Sequence, residues 1–117
     1  MTQPLYSLAD VQALVAADAW GPGTPKCRSN ILSLGLARIQ VAQVLQNLTT
    51  ADFRKPFGLC STDFGDLCAD DYVFWIDDIT LQRCSPGAGL KLYIKFAIDS
   101  DKDGDATVLI SFHESLR

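Results

Sequence analysis

Leu90-Lys91-Leu92-Tyr93-Ile94-Lys95-Phe96-Ala97-Ile98-Asp99, followed by Thr107-Val108-Leu109-Ile110-Ser111-Phe112-His113, decides the fold of this chain. Apolar Leu90, Leu92, Ile94, Phe96 and Ile98 alternate with Lys91, Tyr93, Lys95, Ala97 and Asp99. The second stretch repeats the pattern with Val108, Ile110 and Phe112. Period two marks strands with one face in a core. Between them, the turn from Asp101 to Asp105 contains Asp103-Gly104, a strong hairpin signal. Residues from about Leu90 to Glu114 are therefore expected to form an antiparallel hairpin. A turn symmetric about Asp103-Gly104 sets Asp99 against Thr107, Ala97 against Leu109, Lys95 against Ser111 and Tyr93 against His113. The even-numbered residues then face the core. Lys91, Tyr93, Lys95, Ser111 and His113 share the outer face.

Upstream, the pattern is helical. Ser7 with Asp10 resembles a capping box, and Leu8, Val11, Leu14 and Val15 follow at helical spacing, so a helix is expected from Leu8 to Ala17. Trp20 to Pro25 breaks it. Thr24 and Pro25 start a second helix that ends at Gly35. A third helix runs from Ala37 to about Leu48, with Ile39, Val41, Ala42, Val44, Leu45 and Leu48 as its apolar stripe. Thr49 to Asp52 caps a short turn through Lys55, stopped by Pro56. Gly58 to Asp70 reads mostly as loop, and Tyr72 to Gln82 as a strand with Trp75 in the core. Ser85 to Gly89 is a turn. The expected fold is α+β, three N-terminal helices packed on an antiparallel sheet of at least three strands, in one domain over 1–117.

The chain has 117 residues, of which 48% are hydrophobic, enough to fill a core without staples. No run of about 18 apolar residues is present to span a membrane. The opening MTQPLYSLAD lacks the basic and apolar regions of a secretory signal, so a cytoplasmic protein is expected. Cys27, Cys60, Cys68 and Cys84 are then expected as reduced thiols. No C-x-x-C pair occurs, and His113 is remote from the cysteines, so zinc spacing is missing. Asp99-Ser100-Asp101-Lys102-Asp103-Gly104 matches the first half of a calcium loop. Ile110 stands where the bidentate Glu belongs, and hairpin chemistry explains the same residues. No metal or cofactor is expected. Asp63, Asp66, Asp70, Asp71, Asp77 and Asp78 read as an acidic, solvated stretch. The net charge of −4 argues against broad phosphate contact but allows a local basic pocket.

The outer face of the hairpin has chemistry suited to RNA cleavage without a metal. A base near neutral pKa takes the 2′-hydroxyl proton, cations stabilise the phosphorane, and an acid protonates the leaving oxygen. His113 is the natural proton-transfer group, and Lys95 or Lys55 supplies charge. Arg54 beside Lys55 suits phosphate contact, and Lys91 lies on the same face as Lys95. A simply solvated sheet face accounts for the same residues, so composition and spacing alone do not reach a function.

Six blocks of sequence carry a resemblance. They are YSLADVQALV (6–15), LGL (34–36), TTADFRKPF (49–57), DDYVFWIDD (70–78), LKLYIKF (90–96) and VLISFHES (108–115). In order and spacing, over nearly the whole chain, they resemble the MqsR toxins of type II toxin–antitoxin pairs, which are related in fold to RelE and ParE toxins. The resemblance implies a RelE-like fold, a ribosome-independent mRNA endoribonuclease and a partner antitoxin. The family's lysine in D-F-x-K falls on Lys55, and its Y-x-K tyrosine on Tyr93, with Lys95 two residues on. Its lysine after the terminal S-F falls on His113, and its glutamine after the strand tryptophan falls on Ile76. The resemblance thus implies Lys55, Tyr93 and His113 as catalytic, and with the reading of the hairpin face Lys95, Arg54 and Lys91 are expected to bind RNA. Ile76 and the acidic total leave a second class open, a non-catalytic interaction module that keeps the toxin fold.

Overall fold

In the computed structural model, which describes residues 3–101 and 103–115, each helix begins where a cap satisfies its first free N–H groups. Ser7 Oγ accepts the Asp10 N–H at 3.4 Å and opens α1 (Leu8–Ala16). Thr24 Oγ1 accepts the Cys27 N–H at 3.0 Å and opens α2 (Pro25–Leu34), which ends at Gly35 with φ 71°. Gln40 reaches back to the Ala37 N–H at 2.8 Å and opens α3 (Arg38–Gln46). Val41, Val44, Leu45 and Leu48 form the buried stripe of this helix region, whereas Ile39 is 78% exposed. Two residues from Val41 is about 200° around the helix, so Ile39 cannot share its face.

A short 3₁₀ turn (Thr50–Asp52) leads into the strands. The sheet contains β1 (Trp20–Pro22), β2 (Phe53–Thr62), β3 (Gly65–Ile76), β4 (Leu90–Asp101) and β5 (Gly104–Glu114) in the order β1-β5-β4-β3-β2. The expected antiparallel sheet is therefore corrected to a five-stranded mixed one, because β1 runs parallel to β5. The helices do not all precede it either, since β1 lies between α1 and α2. The break at Trp20 to Pro22 is extended because β5 satisfies its flanks. The Thr107 N–H donates to Ala19 O at 2.9 Å, and the Gly23 N–H to Leu109 O at 2.8 Å. Pro22, with no N–H, is tolerated on this outermost strand.

Residues Gly58 to Asp70 are not a loop. They form most of the β2–β3 hairpin, which turns at Thr62, whose Oγ1 accepts the Phe64 N–H and donates to Gly65 O. Pro56 sits within β2 without breaking it, because β2 is the other edge of the sheet. At its far end β3 stops at Ile76 rather than Gln82. There Asp77 Oδ1 accepts the N–H groups of Ile79 and Thr80 at 2.9 and 2.8 Å, which turns the chain.

The hairpin of β4 and β5 pairs Tyr93 with His113 and Lys95 with Ser111, as symmetry predicts. Nearer the turn the register differs. Asp99 faces Ala106, Ala97 faces Val108, and Asp101 faces Gly104, with Lys102 outside the described residues. A bulge at Ile110 absorbs the one-residue difference and reverses the facing of β5. Even-numbered β4 residues and Phe112 do face the helices, but before the bulge it is Thr107 and Leu109 that point inward.

The inner face buries Tyr72, Phe74, Ile94, Phe96 and Phe112 against α1 and α3. Each such side chain contributes about 1.5–3 kcal/mol. A smaller cluster of Ala69, Ala97, Val108 and Ile110 lies on the outer face. The β2–β3 hairpin curls over it until its tip meets the start of α2. The Asp63 N–H donates to Gly23 O at 2.8 Å, and Arg28 pairs with Asp63 at 2.9 Å. Gly23 lets the chain lie close against β5, because a Cβ there would meet Val108 Cγ1 at 2.2 Å. None of the four cysteines is bridged, and burial pushes the Cys27 thiol up to about 12.

A clamp joins the 3₁₀ turn to the segment after β3. Arg83 donates through both terminal nitrogens to Asp52 and reaches Asn47 O at 3.0 Å, while the Thr49 N–H donates to Asp52 at 2.7 Å. Burial alone raises the Asp52 carboxyl, but these hydrogen bonds outweigh it and hold the group below 3.8. A lowered folded-state pKa stabilises the protein above the unfolded value and loses that contribution as pH falls through the folded one. Asp52→Ala is expected to cost ~1–2 kcal/mol at pH 7 by urea unfolding, discounted for the half-exposed Arg83. The gap to wild type should close as pH is taken below 3.8; a gap independent of pH would exclude the clamp as its source.

Candidate functional site

Beyond the Ile110 bulge, the outer face of the sheet is left uncovered by the curled hairpin, and its residues stand in cross-strand rows. Lys55, Asp71, Lys95 and Ser111 form one row across β2, β3, β4 and β5. Val73, Tyr93 and His113 form the next, and Trp75 with Lys91 the third. The rings of Tyr93 and His113 stack, with centroids 5.2 Å apart and planes 22° from parallel. They floor a groove of about 600 Å³ bordered by Arg54, Val73, Lys91, Glu114 and Ser115.

Arg54 reaches this groove because β2 bulges there. The register slips between Phe53 and Lys55, so Arg54 is the unpaired residue. Its guanidinium lies 3.8 Å from Asp71 Oδ2 and 5.9 Å from the Tyr93 ring centre. A second slip, between Pro56 and Gly58, brings Phe57 over the face, with Lys95 Nζ 3.3 Å from its ring centre. Lys26 of α2 is close enough to act on Lys95 as well. Lys26, Arg54, Lys55, Lys91 and Lys95, half of the chain's ten lysines and arginines, thus gather around one face of an acidic protein.

Burial and neighbouring charges act on the groups of this face. Burial, then the neighbouring Asp71, pushes the Tyr93 phenol up to about 12, so Tyr93 keeps its proton and acts as a donor. Lys95 is lowered, by burial first and by Lys26 and Lys55, against the pull of Cys60 and Asp71. His113 Nδ1 lies 2.9 Å from Glu114 O. A carbonyl only accepts, so Nδ1 carries the hydrogen, and in the neutral ring Nε2 is the basic nitrogen. Among the described residues no hydrogen bond occupies Nε2.

The structure therefore brings Tyr93, His113, Arg54 and Lys91 to one groove, with Lys95 beside it. Lys55 stands apart. It shares the face but belongs to β2, two strands from Tyr93, or about 10 Å of backbone. Ile76 is fully buried on the opposite face, so whatever side chain stands there points into the core and away from the groove. Trp75, expected in the core, instead lies half-buried on the outer face opposite Lys91. Asp70 and Asp71 are not solvated but 0% exposed. Asp71 was missed as a site residue, although its step-of-two relation to Val73 and Trp75 in DDYVFWIDD carried the signal.

Comparison with known proteins adds a family. No curated protein and no solved structure matches the chain. The model of the family described as motility quorum-sensing regulator, toxin of MqsA, matches residues 3–114. That match spans every strand and helix described above, and the chain belongs to the MqsR family of toxins.

Proposed function

We propose that this toxin is an mRNA endoribonuclease whose catalytic groove is floored by Tyr93 and His113, and that a cognate antitoxin of the MqsA kind restrains it. The stacked Tyr93–His113 pair inside a rim of Arg54 and Lys91 is the observation that carries this reading. His113 Nε2 removes the 2′-hydroxyl proton, and the resulting oxygen attacks the adjacent phosphorus. The P–O5′ bond breaks as the P–O2′ bond forms, leaving a 2′,3′-cyclic phosphate and, as the leaving oxygen takes a proton from water, a 5′-hydroxyl. Arg54 and Lys91 balance the charge that builds on the phosphorane, and Lys95 reinforces them. Tyr93 holds the imidazole ring by stacking against it. The helices on one face and the open antiparallel strands on the other are consistent with a relation to the RelE and ParE toxins.

The acidic total charge is no obstacle to RNA binding, since the cations are concentrated where a phosphate would lie. Ile76 is none either, being on the other side of the sheet. Lys55, named by the family pattern, sits at the margin of this arrangement and serves the RNA backbone flanking the cleavage point.

His113→Ala is expected to abolish cleavage of a mixed RNA by the purified protein, and its induced expression should no longer arrest growth. If wild type and His113→Ala leave RNA equally intact, the groove is not catalytic and the interaction-module alternative stands. Arg54→Ala should weaken RNA binding about tenfold, or ~1.4 kcal/mol, whereas Lys55→Ala should change it by less than about threefold. Titration with a fluorescent RNA of fixed sequence at two salt concentrations measures both. A larger loss for Lys55→Ala would move the scissile phosphate away from the groove.

A further inference from the structure

Two adjacent aspartates of β3 are equally buried and differently used. Asp70, on the inner face, accepts the N–H groups of Leu5 and Tyr6, each at 2.9 Å, and so ties down the segment before α1. Asp71, on the outer face, is 0% exposed, and neither of its carboxylate oxygens has a hydrogen-bond partner among the described residues. Its row neighbours are Lys55 and Lys95, and its nearest cation is Arg54 at 3.8 Å. The Tyr93 hydroxyl acts on the same carboxylate without yet reaching formed hydrogen-bond geometry.

A buried carboxylate with neither oxygen hydrogen-bonded is costly to keep, even with an arginine at 3.8 Å. Burial raises its pKa, against the opposing pull of Tyr93, Arg54, Lys95 and Lys55. A leucine or asparagine of similar size would avoid much of that cost. Orphaned polar groups of this kind concentrate at sites where the unmade bond has a use. Asp71 lies directly beneath Arg54 and beside Tyr93, the two groups that join the groove's cationic rim to its aromatic floor.

We propose that Asp71 is a positioning residue for the groove: its buried carboxylate draws the Arg54 guanidinium and the Tyr93 hydroxyl to fixed places, and through the Tyr93 ring it sets the orientation of His113. The hydrogen bond between Tyr93 and Asp71 closes when RNA fills the groove, as catalytic hydrogen bonds tighten on substrate binding. The chemical consequence rests on the endoribonuclease reading, but the geometric one does not. His113 is the chain's single histidine, so its ring resonances are assigned without ambiguity. Stacking on Tyr93 displaces them by ring current, which reports the orientation directly.

The test compares Asp71→Asn, Asp70→Asn, Tyr93→Phe and the double variant Asp71→Asn/Tyr93→Phe in the full chain. Asp71→Asn is expected to unfold at or above the wild-type temperature while moving the His113 ring resonances. It should also lower kcat for RNA cleavage on the order of tenfold with little change in KM. Asp70→Asn is expected to do the reverse, lowering the unfolding temperature with the His113 resonances in place. Adding Asp71→Asn to Tyr93→Phe should have less effect on those resonances than it has alone, because the hydroxyl it acts through is gone. Unmoved His113 resonances in Asp71→Asn, full additivity in the double variant, or a fall in unfolding temperature like that of Asp70→Asn would each overturn the proposal. A wild-type protein that leaves RNA intact would instead overturn the endoribonuclease reading, and the His113 spectra would still decide the role of Asp71.

Discussion

On β5, the bulge at Ile110 determines which side chains meet on each side of the sheet. From the turn up to Phe96 and Leu109, the pairing sets odd residues of β4 against even ones of β5. Continued unchanged, that register would bring Tyr93 against Phe112, a residue the core requires. One extra residue in β5 restores like parity, so Phe112 stays inside while Ser111 and His113 come out beside Lys95 and Tyr93. A shift of one residue exchanges the two faces of a strand, so the core and the groove are solved by the same local irregularity. The helices then need only cover one face, and the chemistry of the other is left free.

Irregularities in β2 complete the arrangement. The slips at Arg54 and Phe57 swing this strand, lift its cations over the face and bend the hairpin it shares with β3. The bend brings Asp63 to Gly23 and Arg28, across the whole width of the sheet. One end of the outer face is thereby closed over Ala69, Ala97 and Val108, and the other end stays open over Tyr93 and His113. An open sheet of this composition would spread its lysines and arginines over a flat surface. The curled one concentrates them around a concavity, where low-dielectric walls strengthen their field. That is how a chain with net charge −4 presents a basic groove.

The parts of this fold that were legible in the sequence are those with strong local chemistry. Ser7, Thr24 and Gly35 mark helix ends through hydrogen bonds and backbone geometry that few other residues supply. Alternation from Leu90 to Phe112 gave the hairpin and the Tyr93–His113 pairing. That pairing assumed a symmetric turn without a bulge, and the structure reaches it by a different turn register plus a bulge, two deviations that cancel. The β2–β3 hairpin was hidden because Pro56 reads as a stop and Gly58 to Asp70 as loop, although an edge strand and a tight turn accept these residues. Asp70 and Asp71 looked solvated because nothing in their own chemistry announces burial; tertiary cover decides it. Ile76 looked like a lost functional position until the facing of β3 turned it into a core residue.

The parallel pairing of β1 with β5 also bears on how the protein comes into being. Trp20 lies beside Thr107, so the strand that follows the first helix must wait for the last strand described before it can pair. Closing so large a loop is entropically expensive, and contacts of this separation form late and slowly. The helices and the β2–β3 hairpin are made of local contacts and do not share that delay. His113 arrives on the same late strand. A partly synthesised chain therefore has much of its scaffold but lacks the His113 side of its groove, and a toxin built this way completes that face only in the closing step of folding.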